Sequence, residues 1–299
     1  MENIPLPEKS FEKMAALKAS AAAQSIIRER FETAADLDDR EAYHNWDHTE
    51  GVLRRADEIA KALELDSRTS LLVTIAASFH DTVQKWDPKA ENGTIERKRR
   101  RGANERESAD EAVAWMQAQS EPAFTEAECE QVRTAILATV PAWDSDRATM
   151  YYPALTKDTD IIARTLALAD IGTSGMEPET FAAEGDQIFA EEQLDITEAI
   201  RKSARDGSSI DEAQQASFLS RYQSWLDNQV LYARGRKEYF ELEIEGLPEL
   251  QRCAVLKLLI HSDESIARVE EKAMSAKRWN FQDMVAQLQK SVPARIELF

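Results

Sequence analysis

The chain has 299 residues, 31% charged and 43% hydrophobic, which is enough to bury a core and excludes a disordered protein. Its formal net charge is −18, so the surface repels nucleic acid and anionic membranes, which argues against a general nucleic-acid binder. Glycine and proline are scarce, at nine each, and the composition favours helices over strands. No apolar run approaches the roughly 20 residues needed to cross a bilayer. The N-terminal stretch also lacks the basic-then-apolar layout of a signal peptide. The two isolated cysteines, Cys129 and Cys253, read as reduced core thiols of a cytoplasmic protein.

In chain order, residues 1–9 read as a lead-in without structure. Apolar residues then recur at helical spacing from Phe11 to Phe31, and Asp36 to Asp39 break that helix. A second helix is expected to start between His44 and Thr49. Asp66 or Ser67 caps a third that runs to His80. Residues 89–102 form a polar loop holding the dense basic run Arg97-Lys98-Arg99-Arg100-Arg101. A fourth helix is expected over 104–119, and Thr125 begins a fifth that Pro141 stops. Residues 142–157 look irregular. The sixth helix, Thr159 to Ile171, is apolar nearly all round, which predicts a central position. Five further amphipathic helices are expected over 179–193, 196–205, 211–233, 247–261 and 264–290. No strand alternation is evident. The fold class is all-α, with an N-terminal helix over 1–39, a core over 40–175, and a helical extension over 176–299 packed with that core as one unit.

Histidine is rare, with four in the chain, and three of them fall early: His44, His48 and His80. The third closes an apolar run, Leu71 to Ser78, and is followed directly by Asp81. A second apolar helix ends at Asp170. A buried, unpaired carboxylate is costly, and a divalent cation bound by neutral imidazole and ionised carboxylate removes that cost. His44, His80, Asp81 and Asp170 are therefore the expected metal ligands. His44 and His48 are expected on one helix face, with His48 contacting substrate or supporting a ligand. His261, after Leu258-Leu259-Ile260, reads as a helix C-terminal residue and not a ligand. The Trp and Tyr residues at 143, 151, 152, 222 and 225 read as core.

The ordered set His44, His80-Asp81 and Asp170, on helical segments, resembles the HD-domain superfamily of metal-dependent phosphohydrolases. Tyr43-His44-Asn45-x-x-His48, Phe79-His80-Asp81, Asn104-Glu105-x-x-Ser108-Ala109 and Ile136-x-x-Thr139 look like a small subgroup of it. The resemblance covers residues 40–175. It implies a helical bundle around one divalent cation (manganese, iron, cobalt or magnesium), extended here by C-terminal helices. It also implies hydrolysis of a small phosphorylated molecule, with a nucleotide as the first expectation. Gln84 and Lys85 stand where alarmone hydrolases of this superfamily carry Glu-Asp, so Glu105 is the expected acid. Asn45, Lys85, Asn104 and Arg133 are expected substrate contacts, and Arg97–Arg101 is either a phosphate clamp or a solvated loop. The alternative is an HD-fold nucleotide-binding protein without turnover. The acidic C-terminal helices are a candidate homo-oligomer interface.

Overall fold

The computed structural model describes residues 8–91, 94–120 and 123–299. Most of the lead-in expected over 1–9 lies outside the described residues. The fold is all-α with two short hairpins. The helices are α1 (Glu8–Ile27), α2 (Trp46–Ala62), α3 (Ser67–Phe79), α4 (Ala103–Gln117), α5 (Glu126–Leu137), α6 (Ile161–Asp170), α7 (Thr173–Met176), α8 (Pro178–Glu192), α9 (Leu194–Asp206), α10 (Glu212–Glu243), α11 (Glu249–Leu258), α12 (Ser262–Ala276) and α13 (Phe281–Ser291). Strands β1 (Trp86–Glu91) and β2 (Thr94–Arg99) pair antiparallel, as do β3 (Ala142–Asp144) and β4 (Thr149–Tyr151).

Local chemistry sets several boundaries. Asn45 caps α2, accepting from Asp47 N, and Asp66 caps α3, accepting from Thr69 N. Thr125 and Glu128 form a capping box at α5, and Asp160 caps α6. Other boundaries differ from those expected. The helix expected to end at 233 continues to Glu243, and the one expected over 264–290 breaks between Ala276 and Phe281, where Asn280 caps α13. Residues 142–157, expected to be irregular, include the β3–β4 hairpin. Cys129 is buried as expected, but Cys253 is exposed.

α3 and α6 are the central helices. Their residues Leu71 to Val73, Ile75 to Phe79 and Ile162 to Ala169 are buried against α1, α2 and α5. The C-terminal helices reach this same core, because Phe240, Ile244, Val255 and Leu259 pack within it. A second apolar cluster joins α8, α9, α10, α12 and α13 around Phe189, Tyr222, Met284 and Leu288. α10 crosses the β3–β4 hairpin so closely that a Cβ on Gly235 would lie 2.6 Å from Arg147 O and from Thr149 Cβ. That approach requires glycine.

Candidate metal centre

Three core helices converge on one point. α2 presents His48 in its first turn, the end of α3 delivers His80 and Asp81, and α6 ends on Asp170. His48 Nε2 lies 3.3 Å from Asp81 Oδ2 and 3.3 Å from Asp170 Oδ1. His80 Nε2 lies 3.2 Å and 3.6 Å from the same two oxygens, and 3.4 Å from His48 Nε2. Each of the four residues offers one ligand atom, and these atoms lie within 4.8 Å of one another. Two donors each about 2.1 Å from a single ion stand roughly 3.0–3.4 Å apart when they are neighbours in its shell. Four of the five separations have that size and the fifth, 3.6 Å, is slightly longer, so two imidazoles and two carboxylates could hold one divalent cation.

Outer contacts fix the orientation of these donors. His80 Nδ1 is bonded to Ala77 O at 2.8 Å, which turns Nε2 inward. The second oxygen of Asp81 accepts from Gln84 Nε2 at 2.8 Å and lies 3.3 Å from Arg99 Nη2. The second oxygen of Asp170 accepts from Tyr152 Oη at 2.5 Å. Fully buried Arg55 donates to Ala169 O at 2.6 Å and pairs with Glu177, pinning the end of α6 that carries Asp170. His48 Nδ1 is buried without a partner. Burial opposes charge on every member of the group. Asp81 and Asp170 outweigh that for His80, pushing it up to about 10, and also raise His48. The imidazoles in turn hold both carboxyls well below the usual range.

His44, expected as a ligand, is not in this group. It precedes α2, so it does not share a helix face with His48. Its Nδ1 and its backbone N–H are both bonded to Glu191, which also accepts from Tyr43 N. Burial lowers the basicity of His44 more than Glu191 raises it, so its neutral ring donates Nδ1–H to that carboxylate. Glu191 is held down to about 2 against the effect of burial, chiefly by His44 and Arg97. His44 therefore stands on the wall of the cavity in front of the quartet as a neighbour of the ligands. The signal that separates the two histidines is Asn45, whose capping role starts the helix after His44 and before His48.

The cavity has a volume of about 440 Å³ and is lined by His44, His48, Asp81 and Asp170 and by Glu96, Arg97, Lys98 and Arg99 of the β1–β2 hairpin. The basic run expected in a loop is largely strand. Arg97 and Arg99 turn inward, while Arg100 turns outward to Asp87. Arg97 is structural, donating to Glu191 O, Asp38 O and Glu41 with its guanidinium 4.6 Å from the Trp86 ring. Arg99 faces Asp81 and Glu105, and its Nε is buried with no partner.

Of the other expected site residues, Glu105 lines the cavity, but it caps α4 by accepting from Gly102 N and sits 3.7 Å from Arg99. Asn45 is used by the cap and by Ala42 O, and Asn104 by the backbone of Lys85. Lys85 pairs with Glu107, and Arg133 pairs with Asp110 and Glu130, away from the quartet. These four are structural or surface residues and do not line the cavity. Asp158 is exposed and Asp160 is a cap, which leaves Asp170 as the α6 carboxylate at the site. His261 stands half-exposed between α11 and α12, near Glu264. Glu191 and Glu192 are not singled out from the sequence, because α8 is remote in the chain from the quartet; Arg99 belongs to the run expected as a phosphate clamp or solvated loop, and Tyr152, expected as core, bonds Asp170.

No protein-family model matches this sequence, and no curated protein and no solved structure matches it. No helix among the described residues is long and apolar enough to cross a membrane.

Proposed function

We propose that the protein is a metal-dependent phosphohydrolase of the HD type, cleaving a phosphate ester or anhydride of a small molecule. The observation that carries this reading is the four-residue donor group beside a cavity that Arg99 and Arg101 also line, with Glu105 and Glu192. A divalent cation held by His48, His80, Asp81 and Asp170 would polarise a phosphoryl group and lower the pKa of a water molecule. With two nitrogen and two oxygen donors, manganese, iron, cobalt and magnesium suit the set.

The chain's own groups do the rest. Arg99, with an Nε unpartnered among the described residues, and Arg101, in the turn after β2, bind phosphate oxygens. Glu192 faces the cavity, and burial, Glu191 and Glu96 push it up to about 7, so near neutral pH it holds a proton for the leaving group. It takes the part first expected of Glu105, which is committed to a cap and an arginine.

The test is elemental analysis of the purified protein, followed by a metal-supplemented screen of phosphate esters and anhydrides. Bound divalent metal with product release, both lost in Asp81→Ala, is the expected result. Full turnover by Asp81→Ala would sink the assignment. Metal binding without any product would favour the non-catalytic reading, in which the same site only retains its ligand.

A further inference from the structure

A second cavity, about 330 Å³, adjoins the first and shares Arg101, Met150, Ile188 and Glu192 with it. Its size falls within the roughly 300–1,000 Å³ range of small-molecule sites. The character of its wall is different. It is built by one face of α8, one face of α10 and the β3–β4 hairpin, and it is rich in rings. Phe181, Gly185, Ile188 and Glu192 recur along α8 at helical spacing, and Trp225, Gln229 and Tyr232 do the same along α10. Trp143, on β3, stands 54% exposed at its edge, which is unusual for tryptophan unless the ring has a use.

Two of these rings are held in fixed positions. Trp225 Nε1 donates to Gly185 O at 2.8 Å, and Tyr232 stacks on Phe181 with ring centroids 6.1 Å apart and planes 15° from parallel. Gly185 keeps the α8 face low, since a Cβ there would come within 3.2 Å of Gln229 Oε1. Among the described residues, the side-chain amides of Asn228 and Gln229 make no hydrogen bond, although both line the cavity. An aromatic slot with free amide groups at its edge matches a flat ring that carries polar atoms on its rim.

We propose that this second cavity is the recognition subsite for the organic half of the substrate, and that the group it takes is a planar aromatic ring. The inference rests on the phosphohydrolase reading for the position of the phosphate. The ring lies between Trp225 and the Phe181–Tyr232 pair. The linking atoms pass over Met150 and Ile188, beside Arg101 and Glu192, and the phosphate reaches the quartet. The substrate class is therefore a phosphate joined through a linker to an aryl or heteroaryl ring, where the ring is either a nucleobase or a plain aryl group. This wall belongs to the helical extension and the hairpin before α6, so selectivity is built outside the metal-binding helices.

The experiment has two independent arms. In the first, phosphate-free probes are titrated into the metal-loaded full-length protein by calorimetry: adenosine and 2-naphthol as rings, ribose and 1-octanol as ring-free controls. The wild type is expected to bind a ring saturably and neither control, with affinity falling at least about tenfold in Trp225→Ala and in the milder Phe181→Leu. Adenosine bound more tightly than 2-naphthol, with the difference lost in Gln229→Ala, identifies a heteroaryl ring read by the amide. The reverse order identifies a plain aryl group.

In the second arm, a phosphate ester carrying a naphthyl ring on a flexible alkyl linker and glycerol phosphate are compared as substrates. Phe181→Leu is expected to raise KM for the naphthyl-bearing ester about tenfold and KM for the glycerol ester by clearly less. Binding of octanol in place of either ring, no ring bound by the wild type, or equal KM shifts for both esters would overturn the proposal. If rings bind and the variants lose them while neither ester is hydrolysed, the subsite stands and the phosphohydrolase reading falls. If both esters are hydrolysed alike and no ring binds, the opposite holds.

Discussion

The two adjoining cavities are walled by different physics. At the quartet, position comes from directed contacts: Gln84, Tyr152 and Ala77 O each hold one atom of a ligand residue, and Arg55 holds the helix end behind Asp170. At the α8–α10 wall, position comes mostly from packed rings, with a single indole hydrogen bond to fix the plane of Trp225. The first arrangement specifies an ion with fixed ligand angles. The second specifies shape and flatness and tolerates small shifts. On the proposed function, reaction type and substrate choice are carried by separate parts of the chain.

The sharpest way to break this comparison is to exchange the two early histidines. His48→Ala is expected to lower metal affinity by more than the roughly 10–100-fold that loss of an outer contact costs, leaving little metal after dialysis. His44→Ala should keep its metal. Elemental analysis of both variants reads this directly, and metal loss from His44→Ala with retention in His48→Ala would reverse the assignment.

A second, structural break acts behind the aromatic wall. Asp186 is fully buried on α8 and accepts from Tyr222 Oη at 2.7 Å, Ser291 Oγ at 2.6 Å and Gln287 Nε2 at 2.8 Å, and it pairs with Lys272. Asp186→Ala strands the other groups and should cost about 3–5 kcal/mol in chemical denaturation. Metal content of the folded fraction should not change, and a matching loss of metal would mean that the two walls are one cooperative unit.

Smaller effects sharpen the picture. Tyr152→Phe removes one hydrogen bond to Asp170 and is expected to weaken metal binding by about 10–100-fold without unfolding the protein. Titration with a competing chelator measures it. The smallest effect lies far from both cavities. Arg68 and the α5 cap hold Glu128 down to about 2 from a usual 4.5. Its stabilisation is complete above the unfolded value and is lost as pH falls from about 4.5 toward 2. Glu128→Gln should therefore flatten the acid limb of a melting curve slightly, and an unchanged limb would remove the pair from the stability account.

What the sequence made legible follows from range. Helices with a strong cap or a continuous apolar run were readable: Asp66 and Thr125 start α3 and α5 where expected, and the apolar α3 and α6 are central. His80, Asp81 and Asp170 were legible because each sits where an apolar run ends. His44 was misplaced because i,i+4 spacing was counted through a cap. The β1–β2 hairpin carries no apolar alternation: Arg97 and Arg99 supply its inward side, and their partners Glu191 and Asp81 are distant in sequence. The aromatic wall was hidden for the same reason. Trp225 and Tyr232 have the spacing of any buried helix face, and only the α8 residues they meet, Gly185 and Phe181, distinguish a slot from core.

α8 has one further consequence. This single straight helix carries Phe181 near its start and Glu191 and Glu192 at its end, so it runs from the ring slot to the carboxylate that braces His44. Eleven residues separate Phe181 from Glu192, about 16 Å at the helical rise. A helix does not stretch, so the spacing between Phe181 and Glu192 is a built-in gauge. On the proposed function, a substrate needs a linker of matching length between ring and phosphorus, and length becomes a selection rule alongside chemistry.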